Sequence, residues 1–156
     1  MIVMGAHATT ENLNNGPDFT VAFATKQTMM ATDFVDIVSA KNDADKMAKT
    51  GWKYEKSENV NAPVFTDFPM TLECRIKEKI DESEDGYYIV AEIVNILVDE
   101  NYLAKDGKPD VEKMHLITCC AITIFYCYAK RFRTYFVTLQ AISKTKRLIK
   151  SKSYTV

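Results

Sequence analysis

MTLECRIKEKI (70–80), followed after the acidic linker DESEDG (81–86) by YYIVAEIVNILV (87–98), is the stretch on which the fold turns. Met70, Leu72, Cys74, Ile76 and, past the exception Glu78, Ile80 fall on one side of an alternating pattern, and Thr71, Glu73, Arg75, Lys77 and Lys79 fall on the other. Strand side chains repeat with a period of two, so the pattern predicts a half-buried strand with one face in the core and one in water. The second run is apolar on both faces, as an interior strand of a barrel is. The linker supplies a turn, and the pair reads as an antiparallel hairpin.

Working outward, FTVAFA (19–24) is β-branched and aromatic, with Phe19, Val21 and Phe23 alternating with Thr20 and Ala22, and predicts another strand. Between it and the hairpin, Met30, Phe34, Ile37 and Val38 follow helical spacing over Thr28–Val38. A second short helix is expected at Asp43–Thr50, closed by Gly51. Ahead of these, Ile2–Met4 reads as the end of a strand, and Thr9 and Thr10 are candidate N-caps for a short helix over about residues 10–15, stopped by Gly16 and Pro17. After the hairpin a polar loop from Asp99 to Lys108 leads to a helical piece at Asp110–Met114. The apolar run LITCCAITIFYCYA (116–129) is 14 residues long, short of the roughly 20 that a membrane-spanning helix needs.

A chain of 156 residues that is 47% hydrophobic and 26% charged suits one ordinary globular domain. Its charge is divided: residues 1–118 hold 12 Lys/Arg against 21 Asp/Glu, a formal −9, while residues 119–156 hold 8 Lys/Arg and no acid, a formal +8. Cysteines divide the same way, Cys74 in the body and Cys119, Cys120 and Cys127 beyond it. The organisation expected is therefore a body, 1–118, and an atypical basic extension, 119–156, whose end, ISKTKRLIKSKSYTV (142–156), lacks the periodicity of a packed element. A strand at Ala121–Tyr128 followed by a solvated helix is the alternative for that extension. Its Lys and Arg interleave with Tyr135, Phe136 and Tyr154, a pattern able to meet nucleic acid or an anionic membrane surface, which is the minor reading. MIVMGAHATT (1–10) has no basic segment followed by a long apolar run, so no signal peptide is expected and the cytoplasm is the natural location.

No conventional catalytic constellation is visible. His7 and His115 lie in no nucleophile or metal motif, and His115 with Cys119, Cys120 and Cys127 lacks the paired spacing of a zinc site. No catalytic residue and no metal ligand are predicted. GAHATTEN (5–12) carries a strand end through two hydroxyl residues into a helix start, where unpaired amides and the helix dipole attract an anion. The plainer alternative is that Thr9 only caps its helix. SAKNDADKMAKTG (39–51) offers Ser39, Lys41 and Lys46 around a second helix start, with a solvated charged face as the alternative.

Taken in order, HATTEN, FTVAFAT, DFVDIVSAKNDADKMAKTG, NAPVFTDFPMTLECRIKE and AEIVNILVDENYL with DGKPDVEKM resemble the flavin reductase-like, flavoredoxin-type domain family over roughly residues 4–118. The resemblance implies a mainly β fold with flanking helices, a split β-barrel that binds FMN without a covalent link. It implies an oxidoreductase working through that FMN, NAD(P)H or a redox protein as electron partner, and a homodimer. The family's Arg/His-x-Thr element falls on His7, Ala8 and Thr9, with Thr10 beside it, and its Ser-Gly-Lys and Asp-Lys-Phe blocks fall on Ser39, Ala40, Lys41 and on Asp45, Lys46, Met47. His7, Thr9, Thr10, Ser39 and Lys46 are thus the expected cofactor-binding residues. Family members have several tens of residues before this point and close with Tyr-Asp-Pro-like and Tyr-Tyr-x-Leu-Gly segments, where this chain reads CCAITIFYCYAKRFRTYFVTLQ (119–140). A barrel incomplete at the N-terminus is therefore expected, and a non-catalytic remnant or flavin-binding module is the alternative function.

Overall fold

The computed structural model of the chain describes residues 1–5, 7–83, 86–120, 123–126 and 144–145. In chain order these form β1 (Ile2–Met4), α1 (Ala8–Asn15), β2 (Asp18–Ala22), α2 (Met29–Ile37), α3 (Lys46–Lys49), β3 (Tyr54–Lys56), β4 (Pro63–Phe65), β5 (Met70–Ser83), β6 (Gly86–Val98), α4 (Val111–Met114), β7 (Ile117–Cys120), β8 (Thr123–Tyr126) and β9 (Lys144–Thr145). The main sheet runs β1-β6-β5-β2, all neighbours antiparallel, and β9 lies parallel to β6 at Leu97 and Val98. β3–β4 and β7–β8 are separate two-stranded sheets. The fold is mainly β with flanking helices, and among the described residues the sheets do not close into a full barrel.

The β5–β6 hairpin predicted from alternation is the spine of the molecule, but its two faces differ from the expectation. Thr71 and Glu73, placed in water by the pattern, are 0% and 1% exposed, as buried as Met70 and Cys74 on the other face. The cover comes from sequence-distant chain. Thr20, paired with Glu73 across β2, donates its hydroxyl to the Pro63 carbonyl at 2.7 Å, and Ser57 and Asn59 bond Glu73 itself. β6 departs in the opposite sense. Asn95–Val98 are buried throughout, but in its first half Tyr87 and Ile89 are buried while Tyr88, Val90 and Glu92 are exposed.

The exception at Glu78 has a structural cause. Pairing skips from Ile76–Ala91 to Glu78–Val90, leaving Lys77 as an extra residue. One extra residue in a strand moves every later side chain to the other face. Ile80 therefore sits beside Tyr88 on the outer face, and Lys79 turns to the packed side, its ammonium 4.7 Å from the Tyr87 ring centre and 2.7 Å from Asn14 Oδ1. The Tyr87 hydroxyl meets the same Asn14 oxygen at 3.2 Å, which fastens the end of α1 to the hairpin.

Two apolar clusters flank the sheet. Met70, Ile96, Val98, Met114 and Leu116 form one, and Val3, Leu13, Tyr87 and Ile89 the other. Each fully buried side chain of this size contributes about 1.5–3 kcal/mol, so β1, α1 and α4 are held by their apolar residues more than by their short backbone ladders. α2 is different: it forms where helical spacing predicted, yet it buries no residue, and Met30 and Ile37 are 82% and 74% exposed. α3 is shorter than expected, and Gly51 after it takes φ +69, the left-handed conformation that glycine adopts without strain. The β3–β4 hairpin was not anticipated. The run at 116–129 supplies β7 and β8, paired from Ile117–Tyr126 to Cys120–Thr123, and β8 lies within the range of the alternative strand at Ala121–Tyr128. Apart from these strands and β9, the expectations for 119–156 lie outside the described residues. Among the described residues no helix is long and apolar enough to cross a membrane.

Asp18, the first residue of β2, takes Nε of Arg75 at 2.7 Å and the Asn61 amide at 2.8 Å. The Arg75 hydrogen bond, then the Asn61 amide, hold its carboxyl below the ordinary value of 3.8. A carboxyl depressed in the folded state stabilises above its ordinary value, and that contribution disappears as pH falls through the lower folded-state value. Asp18→Asn should therefore lower the melting temperature at neutral pH, with the gap to the parent closing below pH 3.8. A gap unchanged between neutral pH and pH about 2 would contradict this sign.

Candidate functional site

β1 ends at Met4, and the His7 amide turns back to the Gly5 carbonyl at 2.9 Å, so the chain enters α1 from an extended His7 with φ −92 and ψ 155. His7, and neither threonine, is the N-cap, and its side chain makes no capping hydrogen bond. The helix reaches further back than expected because Ala8, the strongest helix former, extends it. Thr9 and Thr10 consequently lie inside the first turn, Thr9 exposed and Thr10 half-buried. The first helical hydrogen bond runs from the Glu11 amide to the His7 carbonyl at 3.2 Å. The amides of Ala8 and Thr9, ahead of it, have no intrahelical acceptor.

The second predicted element begins where α2 ends. Ser39 closes a turn in which its carbonyl accepts the Asn42 and Asp43 amides at 3.0 and 3.1 Å, and its hydroxyl accepts the Lys41 amide at 3.3 Å. Lys41 then reaches α1: its Nζ lies 2.6 Å from Glu11 Oε1. This ion pair brings the two elements picked out in the sequence to one place, the first turn of α1 beside the turn after α2. Lys46 is used otherwise. Its ammonium donates to the Val35 and Val38 carbonyls at 2.8 Å each and satisfies the last turn of α2. His7, Thr9 and Thr10 thus share one turn, Ser39 is joined to them through Lys41 and Glu11, and Lys46 supports α2.

The donor set decides which ligand chemistry fits. Two hydroxyls on a helix start, the helix's leading amides, a serine hydroxyl and a lysine are all groups that a phosphate ester accepts from. They do not suit a metal ion, and among the described residues no group of three or more His, Cys, Asp or Glu is placed to hold one. A second polar constellation escaped the sequence reading: Glu73, between β2 and β6, accepts from Ser57, from Asn59 Nδ2 at 2.8 Å and from Asn95 Nδ2 at 2.6 Å. All its partners are protein side chains, which marks it as a fastening for the loop at residues 57–62. Cys74 beside it is pushed up to about 11, first by burial and then by the Glu73 charge, so its thiol stays protonated.

Over residues 1–116 the sequence matches the flavin reductase like domain. The chain belongs to that family. Among solved structures it is similar to the flavoredoxin of Desulfovibrio vulgaris (Miyazaki F), at 26% identity and TM-score 0.71, over 81% of this chain and 67% of that one. Its likeness to a flavoredoxin from Methanosarcina acetivorans is 25% identity and TM-score 0.72, over 82% and 67%. A flavin reductase-type split barrel domain from Shewanella frigidimarina NCIMB 400 superposes with TM-score 0.65 at 14% identity, over 81% and 71%, a likeness that concerns the fold alone. No curated protein matches the sequence. The family match spans α1, the Ser39 turn and the β5–β6 hairpin. It supports a flavin-related redox function for this split-barrel fold.

Proposed function

We propose that this flavin reductase-like chain is an FMN-dependent oxidoreductase of the flavin reductase or flavoredoxin type. The observation that carries the reading is the convergence of the α1 start and the Ser39 turn, linked by Lys41 and Glu11, within the segment that matches the family. Thr9, Thr10 and His7 hold the FMN phosphate at the helix start, where backbone amides and hydroxyls donate to it, and the Ser39 hydroxyl closes the other side. Lys46 serves the site by fixing the end of α2 from which the Ser39 turn departs. When bound, FMN supplies the redox chemistry, taking electrons from NAD(P)H or a redox protein and passing them on. The chain's task is binding and orientation, so no residue is assigned a catalytic role. A homodimer belongs to the proposal, and the exposed apolar side of α2 is consistent with it.

A second reading, a non-catalytic flavin-binding module of the same family, is favoured by the open sheet among the described residues. Turnover separates the two. With free FMN and NADH in solution, the oxidoreductase reading expects catalytic NADH oxidation that scales with protein concentration. Saturable FMN binding with no oxidation of NADH or NADPH, and no reduction of the bound flavin by a reduced redox protein, would select the binding module.

A further inference from the structure

The outer face of the β5–β6 hairpin carries apolar side chains that the described residues leave in water. Ile80, Tyr88 and Val90 are 39%, 50% and 47% exposed, and the pairings Ile80–Tyr88 and Glu78–Val90 put them side by side. Their surroundings are acidic. Glu78 lies within the patch, Asp81 is exposed next to Ile80, and both adjoin the linker DESEDG (81–86). The nearby cations are already engaged, Lys77 by Glu92 at 2.6 Å and Arg75 by Asp18 at 2.7 Å, while Lys79 turns to the packed side over Tyr87. A second copy of this face would bring the same negative charge against it, a mismatch that disfavours the contact. The face therefore suits an occupant that is both basic and apolar.

The chain contains such a segment. KRFRTYF (130–136) joins three cations to three aromatic rings and holds no acid. It falls within the 17 residues between β8, which ends at Tyr126, and β9, which starts at Lys144. β9 lies parallel to β6 with Lys144 against Leu97, so the chain comes to it from the side on which β6 begins, where the patch lies. Phe136 is eight residues before Lys144, and Ile89, between Tyr88 and Val90, is eight before Leu97. At about 3.3 Å per residue each stretch covers about 26 Å, so the length of chain matches the distance. We propose that the outer face of the hairpin is a docking surface for residues 130–136 of the same chain, the aromatic rings covering Ile80, Tyr88 and Val90 and the cations matched to Glu78 and Asp81.

Carbodiimide coupling, which joins a carboxylate to an amine in direct contact, tests this on the full chain. An equal mixture of isotopically light and heavy protein separates contacts within one chain from contacts between two. The expected product is a Glu78–Lys130 or Asp81–Lys130 cross-link within single chains. Tyr88→Lys puts a cation into the face, and Arg131→Glu reverses a charge of the segment. Each should lower the yield about fivefold, as for the loss of one exposed charge contact. Met30→Lys, at the exposed apolar residue of α2, should leave the yield as in the parent. Arg131 lies outside the described strands, so Arg131→Glu decides the matter if Tyr88→Lys fails to fold. Three results would overturn the proposal: Lys130 joined to neither acid, cross-links found solely between light and heavy chains, or a yield that Arg131→Glu leaves unchanged or Met30→Lys lowers equally.

Discussion

Glu73→Ala should destabilise the folded chain by about 2–6 kcal/mol, at about 1–3 kcal/mol for each buried donor left without its acceptor. Glu73 is 1% exposed and is the common acceptor for Ser57, Asn59 and Asn95. Truncation leaves two buried donors, Ser57 and Asn95, and the more exposed Asn59 without their acceptor. It also releases Ser57, whose hydroxyl accepts the Asn59 and Val60 amides at 3.0 Å each and so shapes the loop that covers the sheet. Glu73→Gln keeps one acceptor oxygen but turns an amide toward a neighbouring donor, and should cost about 1–3 kcal/mol. Urea unfolding measures both. Two variants within about 0.5 kcal/mol of the parent would show that the network fastens nothing.

Thr9→Ala should weaken FMN binding roughly tenfold through loss of one hydrogen bond to a charged group and leave riboflavin binding unchanged. Its effect on stability should be under about 0.5 kcal/mol, as for other exposed substitutions. Thr9 caps nothing: it is exposed, one residue inside a helix that starts at Ala8, and alanine is the better helix former there. This separates binding from folding more cleanly than a true N-cap would, where about 1 kcal/mol of stability is at stake. Equal loss of affinity for FMN and riboflavin would place Thr9 away from the phosphate.

How much of this was legible in the sequence follows from how local each signal is. The alternation from Met70 onward and the helical spacing of Met30, Phe34 and Ile37 are properties of consecutive residues, and β5 and α2 appear where they predict. The bulge at Lys77 is a property of the pairing with β6, so the sequence shows it only as an unexplained exception at Glu78. Glu73 reads as a water-facing residue because its burial is imposed by Ser57, Asn59 and β4, chain that a strand pattern does not contain. β3 left no signal, since Tyr54–Lys56 are exposed on both faces and have no apolar periodicity to display. At the site, the strand-to-helix passage with two threonines was visible. The difference between Lys41 and Lys46 was not, because it depends on which of them finds Glu11 and which finds the end of α2.

The central claim is that the start of α1 and the Ser39 turn form an FMN phosphate site, and titration of the purified chain with FMN and with riboflavin tests it most directly. The account predicts saturable quenching of FMN fluorescence, a rise in melting temperature with FMN concentration as expected for a ligand that binds only the folded state, and weaker binding of riboflavin. FMN fluorescence and melting temperature both unchanged across the titration would contradict it.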